Sequence, residues 1–221
     1  MIAIPKDTSA IIIKQVIAIK KCPTVYIRVL IKEPLEPLKK YGTIYGCNAV
    51  YRDFSPDYLV AVDVKMVNEI NMKRYQMDNQ VWTNYNKSFE SYTNFNYFEP
   101  SLGWSSGPSA LSLCSTHNHK AIYILGFDFQ GIGTEKRRVN NIYSGTQNYK
   151  RSDDGATYFG NWLRQTCNVI QKNVEKRYIR VLGESFFTPP ELTKLENVSN
   201  MHVRDFKKSF CLLYTSDAAD E

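Results

Sequence analysis

A small-residue turn and an acidic strand end are the positions at which this sequence is best equipped to bind a ligand. Ser105, Ser106 and Gly107 precede a predicted helix, where hydroxyls and the free amides of the first helical turn favour a phosphate or a carboxylate. Asp128 follows a strongly apolar predicted strand and can accept hydrogen bonds from ribose or sugar hydroxyls. A helix N-cap and an aspartate that orders its own turn explain the same residues, so both interpretations stay open.

A second predicted strand end carries an amide. Asn48 directly follows the predicted strand 42–47, and its side chain can bridge phosphate and base atoms because it both donates and accepts hydrogen bonds. The neighbouring Arg52 and Asp53 are interpreted as an ion pair with each other. Asn48 therefore joins the predicted ligand-binding residues.

The triplet His117, Asn118 and His119 is interpreted as a helix end. Two histidines spaced two residues apart lack the further ligands that zinc requires. At a helix C-terminus the helix dipole favours protonated histidine, and asparagine is a common terminator. The sequence therefore predicts a capping role for the triplet and no metal site.

The elements that must position these residues alternate between strands and helices. Short β-branched or aromatic runs predict strands at 24–30, 42–47, 58–62, 81–84 and 121–127. Helices are predicted at 64–72, 109–117, 156–174 and 190–200. Residues 84–104 are expected to form a hairpin or an irregular aromatic lid, and residues 131–154 a long loop. This alternation predicts an α/β fold: a Rossmann-like three-layer sandwich with a mostly parallel sheet.

Composition favours one globular domain. The 221 residues are 43% hydrophobic and 23% charged, which excludes collagen-like, coiled-coil and disordered classes. We expect a single domain over residues 1–210, with no apolar run long enough to cross a membrane. Five cysteines without a CxxC spacing indicate neither a disulfide framework nor a zinc site, and favour a reducing cytoplasm.

The last eleven residues, CLLYTSDAADE, are interpreted as the translation of a transposon-based sequencing adapter. On that interpretation the natural reading frame continues beyond Phe210. Leaving out the three carboxylates of this segment raises the formal net charge from +6 to +9. A basic chain is compatible with nucleic acid, anionic lipid or a phosphorylated ligand, and selects none of them.

Three motifs in order resemble the bacterial sialyltransferases that use CMP-sialic acid and the related motility-accessory-factor glycosyltransferase-like domain. The motifs are the pair Cys47–Asn48 at a strand end, the turn Ser105–Ser106–Gly107, and the strand end Gly126–Phe127–Asp128. The chain is also similar to proteins of marine phages. The resemblance implies a nucleotide-sugar donor, a glycan or other acceptor, and Asn48 on phosphate or ribose.

The sequence departs from that family at two places. Residues 24–37 contain no glycine where the family has a glycine-rich phosphate loop, which predicts either lost nucleotide binding at that edge or a shifted reading frame upstream of residue 38. Residues 131–161 lack the histidine that the family uses as general base. The possible replacements in reach are Tyr143, Tyr149, Asp153 and Asp154, of which Tyr143 or Tyr149 is expected near the acceptor. Arg151 is predicted to neutralise the leaving nucleotide without a metal or other cofactor.

Three functions from different classes follow. The first is a glycosyltransferase-like protein that binds a nucleotide or nucleotide-sugar through Asn48, Ser105, Ser106 and Gly107, with Asp128 on hydroxyls. The second is a non-catalytic binding module of the same fold. The third is a basic protein that binds nucleic acid, which the sequence favours least because it carries no recognised nucleic-acid motif.

Overall fold

The molecule is described by a computed structural model that covers the backbone of residues 9–13 and residues 36–131, 138–139, 141–151, 153–155, 158–183 and 187–210. The predicted strand at 24–30 and the segment 211–221 lie outside the described residues. Within these ranges the strands belong to a single sheet.

The sheet contains eight strands, and each of the ladders that join them is parallel. Their order across the sheet is β5-β4-β3-β2-β1-β6-β7-β8. The strands are β1 Ser9–Ile13, β2 Thr43–Cys47, β3 Tyr58–Val60, β4 Val81–Thr83, β5 Asn96–Tyr97, β6 Ala121–Leu125, β7 Arg177–Leu182 and β8 Val198–His202. The strand order reverses direction between β1 and β6, so a crevice is expected beyond their carboxyl ends.

Helices cover both faces of this sheet. The α-helices are α1 Val64–Met72, α2 Ser106–Thr116, α3 Gly160–Lys172, α4 Pro190–Thr193 and α5 Val203–Ser209. Short 3-10 helices span Glu36–Lys40, Asn48–Arg52, Tyr75–Met77 and Lys87–Phe89. No helix in the described part of the chain is long and apolar enough to cross a bilayer.

Alternation along β6 shows how the layers form. Ile122 and Ile124 pack in one hydrophobic cluster with α2 and α3, whereas Tyr123 and Leu125 pack in a second cluster with Phe206 of α5. Successive side chains point to opposite faces of a strand, and both faces here are buried. The predicted Rossmann-like three-layer sandwich with a parallel sheet is therefore confirmed.

Several predicted elements match the structure and others do not. The helix at 64–72 is confirmed, and the strands at 42–47, 58–62, 81–84 and 121–127 and the helices at 109–117 and 156–174 are confirmed with shifted ends. The helix at 190–200 is wrong beyond Thr193, because residues 198–202 form the edge strand β8, which β7 holds through backbone pairing. Elements β1, β7 and α5 were not predicted from the sequence.

The aromatic stretch 84–104 is not a hairpin. Asn96 and Tyr97 form β5, which pairs in parallel with β4, and Phe98 is buried in the core. The segment 131–154 is a loop as expected, since its described residues contain turns and one isolated bridge, Arg138 to Gly155.

Candidate functional site

A cavity of about 630 Å³ lies at the carboxyl edge of the sheet, where the strand order reverses. Asn48 follows β2, Asp63 follows β3, and Asp128 follows β6, and all three line this cavity. The N-terminus of α2, the first turn of α1, the first turn of α3 and part of the loop 141–151 complete its wall. Ligand pockets of proteins have this size and this position in open α/β sheets.

Ser106 joins three elements at the base of the cavity. Its Oγ donates to Asn48 Oδ1 at 2.7 Å and accepts from the Val62 backbone N–H at 3.2 Å. Asn48 has a φ of 53°, a left-handed conformation that asparagine tolerates better than most residues. The Ser106 hydroxyl, only 4% exposed, thus fixes the ends of β2 and β3 against the start of α2.

No side chain of the described residues caps the N-terminus of α2. Ser105 is the N-cap, yet its side chain makes no capping hydrogen bond, and its backbone N–H donates to Gln165 Oε1 at 3.2 Å. Ser105, Ser106, Gly107 and Pro108 all line the cavity. The unpaired amides of a first helical turn, together with the positive end of the helix dipole, attract an anion.

Carboxylates and lysines share the cavity wall. Asp63 is the N-cap of α1 without a capping hydrogen bond, and partial burial against the cavity wall raises the pKa of its carboxyl. Asp128 interacts electrostatically with the buried Arg180. Burial lowers the pKa of Arg180 to about 10, and the charge of Asp128 acts in the opposite direction. Lys65 and Lys150 line the same cavity.

Tyr149 reaches the cavity, but its hydroxyl is used by the protein. The Tyr149 hydroxyl accepts from the Ala49 backbone N–H at 3.3 Å, and burial raises the pKa of this residue to about 12. A phenol with such a pKa is a poor general base near neutral pH. The structure therefore supports a wall position for Tyr149 better than the predicted role of base.

Tyr143 does not line the cavity. Its hydroxyl donates to Asp53 Oδ2 at 2.7 Å, its ring lies 5.5 Å from that of Tyr149, and only 7% of the residue is exposed. Burial and the hydrogen bond to Asp53 raise the pKa of Tyr143. Tyr143 therefore packs against Tyr149 on the side away from the cavity. A position of Tyr143 beside an acceptor stays a prediction.

Arg151 also lies off the cavity wall. It is exposed, and its backbone N–H donates to Asp154 Oδ2 at 2.7 Å in a tight turn. The preceding residue, Lys150, lines the cavity instead. The cavity wall therefore carries the positive charge of Lys150, one residue before the predicted Arg151.

The buried carboxylate of Glu69 fastens the loop 141–151 to the rest of the wall. It accepts from Arg52 Nε at 2.8 Å, from the Tyr51 hydroxyl at 2.6 Å and from Asn148 Nδ2 at 2.7 Å. Burial favours the neutral acid, but hydrogen bonds from Arg52, Tyr51 and Asn148 outweigh it and lower the pKa of Glu69 to about 2. The predicted ion pair between Arg52 and Asp53 is wrong, because Arg52 pairs with Glu69.

Arg52 extends the same network into the loop. Its guanidinium donates to Thr146 Oγ1 at 3.0 Å and to the backbone oxygen of Gln147 at 3.0 Å. The guanidinium carbon also lies 5.7 Å from the Tyr143 ring centre and 5.9 Å from that of Tyr149. The Glu69 network therefore holds Asn148, Tyr149 and Lys150 at the cavity.

A different polar cluster lies at the amino edge of the sheet. Tyr45 hydrogen-bonds through its hydroxyl to His117 Nδ1 and, at 2.9 Å, to His119 Nε2. Lys176 Nζ donates to the backbone oxygens of His117 at 2.8 Å and His119 at 3.1 Å. The Tyr58 ring stacks on Tyr45 with centres 5.0 Å apart. We call Tyr45, Tyr58, His117, His119 and Lys176 the amino-edge cluster.

The two histidines of this cluster are not the protonated cap that the sequence predicts. Burial and the ammonium of Lys176 lower the pKa of His117, and burial, His117 and Lys176 lower the pKa of His119 to about 4. Lys176 supplies the positive charge at the C-terminus of α2 in their place. Within the described ranges no group of three histidine, cysteine or acidic side chains is placed to hold a metal ion.

Six of the eight predicted site residues meet at one cavity: Asn48, Ser105, Ser106, Gly107, Asp128 and Tyr149. Sequence reasoning missed Asp63, Lys65, Lys150 and Trp162 on the same wall. Asp63 carried a usable signal, because an aspartate between a predicted strand and a predicted helix falls at the carboxyl edge of a parallel sheet. Trp162 lies inside a predicted helix, and nothing local distinguishes it from a core residue.

Comparisons of the chain with protein-family models, with curated proteins and with solved structures find no match.

Proposed function

We propose that this protein binds a nucleotide or nucleotide-sugar in the cavity at the carboxyl edge and transfers the sugar to a glycan or another acceptor. The observation that carries the proposal is the convergence of Asn48 and the open N-terminus of α2 on a cavity at the reversal of strand order. Phosphate binds well at such a helix terminus, where amides and the helix dipole point the same way.

Each wall of the cavity suits a different part of such a ligand. The phosphate is expected at the backbone of Ser106 and Gly107, with Lys150 nearby to balance its charge. Asp128, which lines the cavity, is expected to accept hydrogen bonds from ribose or sugar hydroxyls. Phe159 and Trp162 offer aromatic surface to a base or a sugar ring.

A panel of nucleotides tests binding directly. The purified protein is heated with CMP, CDP, UDP, GDP or their sugar conjugates, and the melting temperature is recorded for each. A ligand at a hundredfold excess over its Kd stabilises the fold by about 2.7 kcal/mol, which gives a clear shift. We expect one base to stand out, and the absence of any shift would refute the proposal.

Asn48→Gly is the informative variant for this panel. Glycine adopts the φ of 53° without strain, so the change removes the amide and leaves the backbone relaxed. Asn94→Gly is the matched control, since Asn94 has a φ of 64° and does not line the cavity. We expect the ligand-induced shift to disappear in Asn48→Gly and to persist in Asn94→Gly.

A non-catalytic binding module of the same fold is the second candidate. It is favoured by the hydroxyls of Tyr143 and Tyr149, which are both committed to partners within the protein and both have a raised pKa. This candidate predicts nucleotide-sugar binding without release of free sugar. A radiolabelled donor incubated with the protein distinguishes the two functions.

A further inference from the structure

Asp63 is a cavity carboxylate that the fold does not use. It occupies the N-cap position of α1, where an aspartate normally accepts a hydrogen bond from the first helical turn, and it makes no such bond. In the part of the chain that the structure describes, its carboxylate has no hydrogen bond and no salt bridge. Because the side chain lines the cavity, its oxygens are available to a ligand there.

Four other ionisable groups line the cavity together with Asp63. From its own helix Lys65 faces the cavity, from the loop 141–151 Tyr149 and Lys150 do so, and from beyond β6 Asp128 does. The cavity residues contributed by the starts of α2 and α3 carry no ionisable side chain. Partial loss of water at the cavity wall raises the pKa of Asp63, and the charge of Asp63 in turn contributes to the raised pKa of Tyr149.

The other candidate bases of the cavity are less suitable. Asp128 interacts electrostatically with the buried Arg180 and is therefore already engaged within the protein. The Tyr149 hydroxyl already accepts from the Ala49 N–H and titrates near pH 12. Among the ionisable groups on the described wall, Asp63 therefore offers a carboxylate without a hydrogen bond or ion pair to the protein, and its lone pairs are available to a proton.

We propose that Asp63 is the general base that accepts the proton of the attacking hydroxyl during sugar transfer. This inference rests on the proposed function. The acceptor oxygen forms a bond to the anomeric carbon while the bond from that carbon to the phosphate oxygen breaks. The proton of the acceptor hydroxyl moves to the Asp63 carboxylate, and the leaving nucleotide keeps the electron pair of the broken bond.

The test is Asp63→Asn, assayed with the nucleotide-sugar that binds in the panel and with water as the acceptor. Asparagine is also a good N-cap, so the fold is expected to be unaffected. We expect donor binding within threefold of the unmodified protein and release of free sugar at least 100-fold slower, as for loss of a general base. Asp78→Asn, an exposed aspartate that does not line the cavity, is the matched control and should keep the original rate.

A pH profile separates a base from a merely structural residue. In the unmodified protein kcat/KM should fall on the acid side as Asp63 takes up a proton, and in Asp63→Asn the residual rate should lack that acidic limb. Rescue of the original rate in Asp63→Glu would further support a carboxylate role.

Each contrary result has a distinct meaning. A rate in Asp63→Asn within threefold of the original overturns the role of Asp63 alone, as does parallel loss of donor binding in that variant. Donor binding without any sugar release in the unmodified protein overturns the role of Asp63 and leaves the binding module. Absence of binding to every nucleotide overturns the proposed function itself, and the role of Asp63 with it.

Discussion

The C-terminal end of helix α2 lies in a cluster of side chains that hydrogen-bond to one another, whereas its N-terminal end faces a cavity. Beyond its C-terminus, Lys176 donates to the backbone oxygens of His117 and His119, and Tyr45 hydrogen-bonds to both imidazoles. At its N-terminus, Ser105 leaves the cap unmade and the first turn faces a cavity. One helix therefore separates a region whose polar side chains are joined by hydrogen bonds from a cavity beside a helix start that has no side-chain cap.

The difference teaches how to tell the two kinds of polar residue apart. A buried donor or acceptor that finds its partner in the protein stabilises the folded state, and removing the partner is costly. A polar side chain beside a cavity that has no protein partner adds little to stability and is free to bind. The following variants test whether the number of hydrogen-bond partners of a polar side chain, rather than its residue type, decides how much it stabilises the fold.

Glu69→Gln should have the largest effect. Glu69 lies next to the cavity wall yet accepts from Arg52, Tyr51 and Asn148, so by partner count it belongs with the stabilising residues. Removing its charge leaves Arg52 facing a neutral partner, and breaking such a buried pair costs about 3 kcal/mol or more. Urea denaturation measures the change, and a loss below about 1 kcal/mol would show that position, not pairing, decides.

Lys176→Met should have the next largest effect. The change keeps the apolar stem and removes the ammonium, so the backbone oxygens of His117 and His119 lose their donor. We expect the free energy of unfolding to fall by about 2 kcal/mol. Lys65→Met at the cavity is the control and should fall within about 0.5 kcal/mol of the original protein. Equal losses in the two variants would contradict the comparison.

Strands β6 and β8 show where prediction from the sequence succeeds and where it fails. The parallel sheet and three layers follow from short apolar runs such as 121–125, because a strand buried on both faces must be apolar throughout. Strand β8, with the sequence VSNMH, was not predicted, because backbone pairing with β7 holds it and its sequence has no apolar pattern.

The site follows the same rule. Asn48, Ser106 and Asp128 were predictable because the carboxyl ends of parallel strands gather at one edge. The partners of Glu69 were not, because Arg52 lies 17 positions and Asn148 lies 79 positions away along the chain. Local sequence cannot report contacts of that range, and it therefore suggested Asp53 as the partner of Arg52 instead.

The amino-edge cluster should make stability depend on pH. In the folded state burial and Lys176 lower the pKa of His117, and they and His117 lower the pKa of His119 to about 4, whereas the pKa of histidine in an unfolded chain is near 6.5. Between these values the unfolded state binds more protons, so the free energy of unfolding falls as the pH falls, by about 1 kcal/mol per pH unit. Denaturation curves from pH 7.5 to pH 4.5 measure this slope.

His119→Gln tests the source of that slope. The variant removes one of the two titrating groups, so we expect the pH dependence between 6.5 and 4.5 to become shallower. Further loss of stability below pH 4.5 is expected in both proteins. The pKa of Glu69 is about 2 in the folded state, so as the pH falls this glutamate takes up a proton first in the unfolded chain. A flat profile above pH 5 would contradict the assignment of neutral histidines.

Ser105→Ala should have the smallest effect. Replacing an N-cap serine usually costs about 1 kcal/mol, but the Ser105 side chain makes no capping bond, so we expect a change within about 0.5 kcal/mol. Asn86→Ala is the matched control, because Asn86 Oδ1 accepts from the Ser88 N–H at 2.9 Å, and it should lose about 1 kcal/mol. Thermal or urea unfolding of both variants completes the series.

The central place of β1 has a consequence for the kinetics of folding. Strand β1 is the seam of the sheet, since it pairs with β2 on one side and with β6 on the other. Ser9 aligns with Ala121, so a loop of about 110 residues must close before the two halves of the sheet join. Contacts of such separation slow folding. We therefore expect the crevice beside that seam to be completed late in folding, because it needs Asn48 from one half of the sheet and Asp128 from the other.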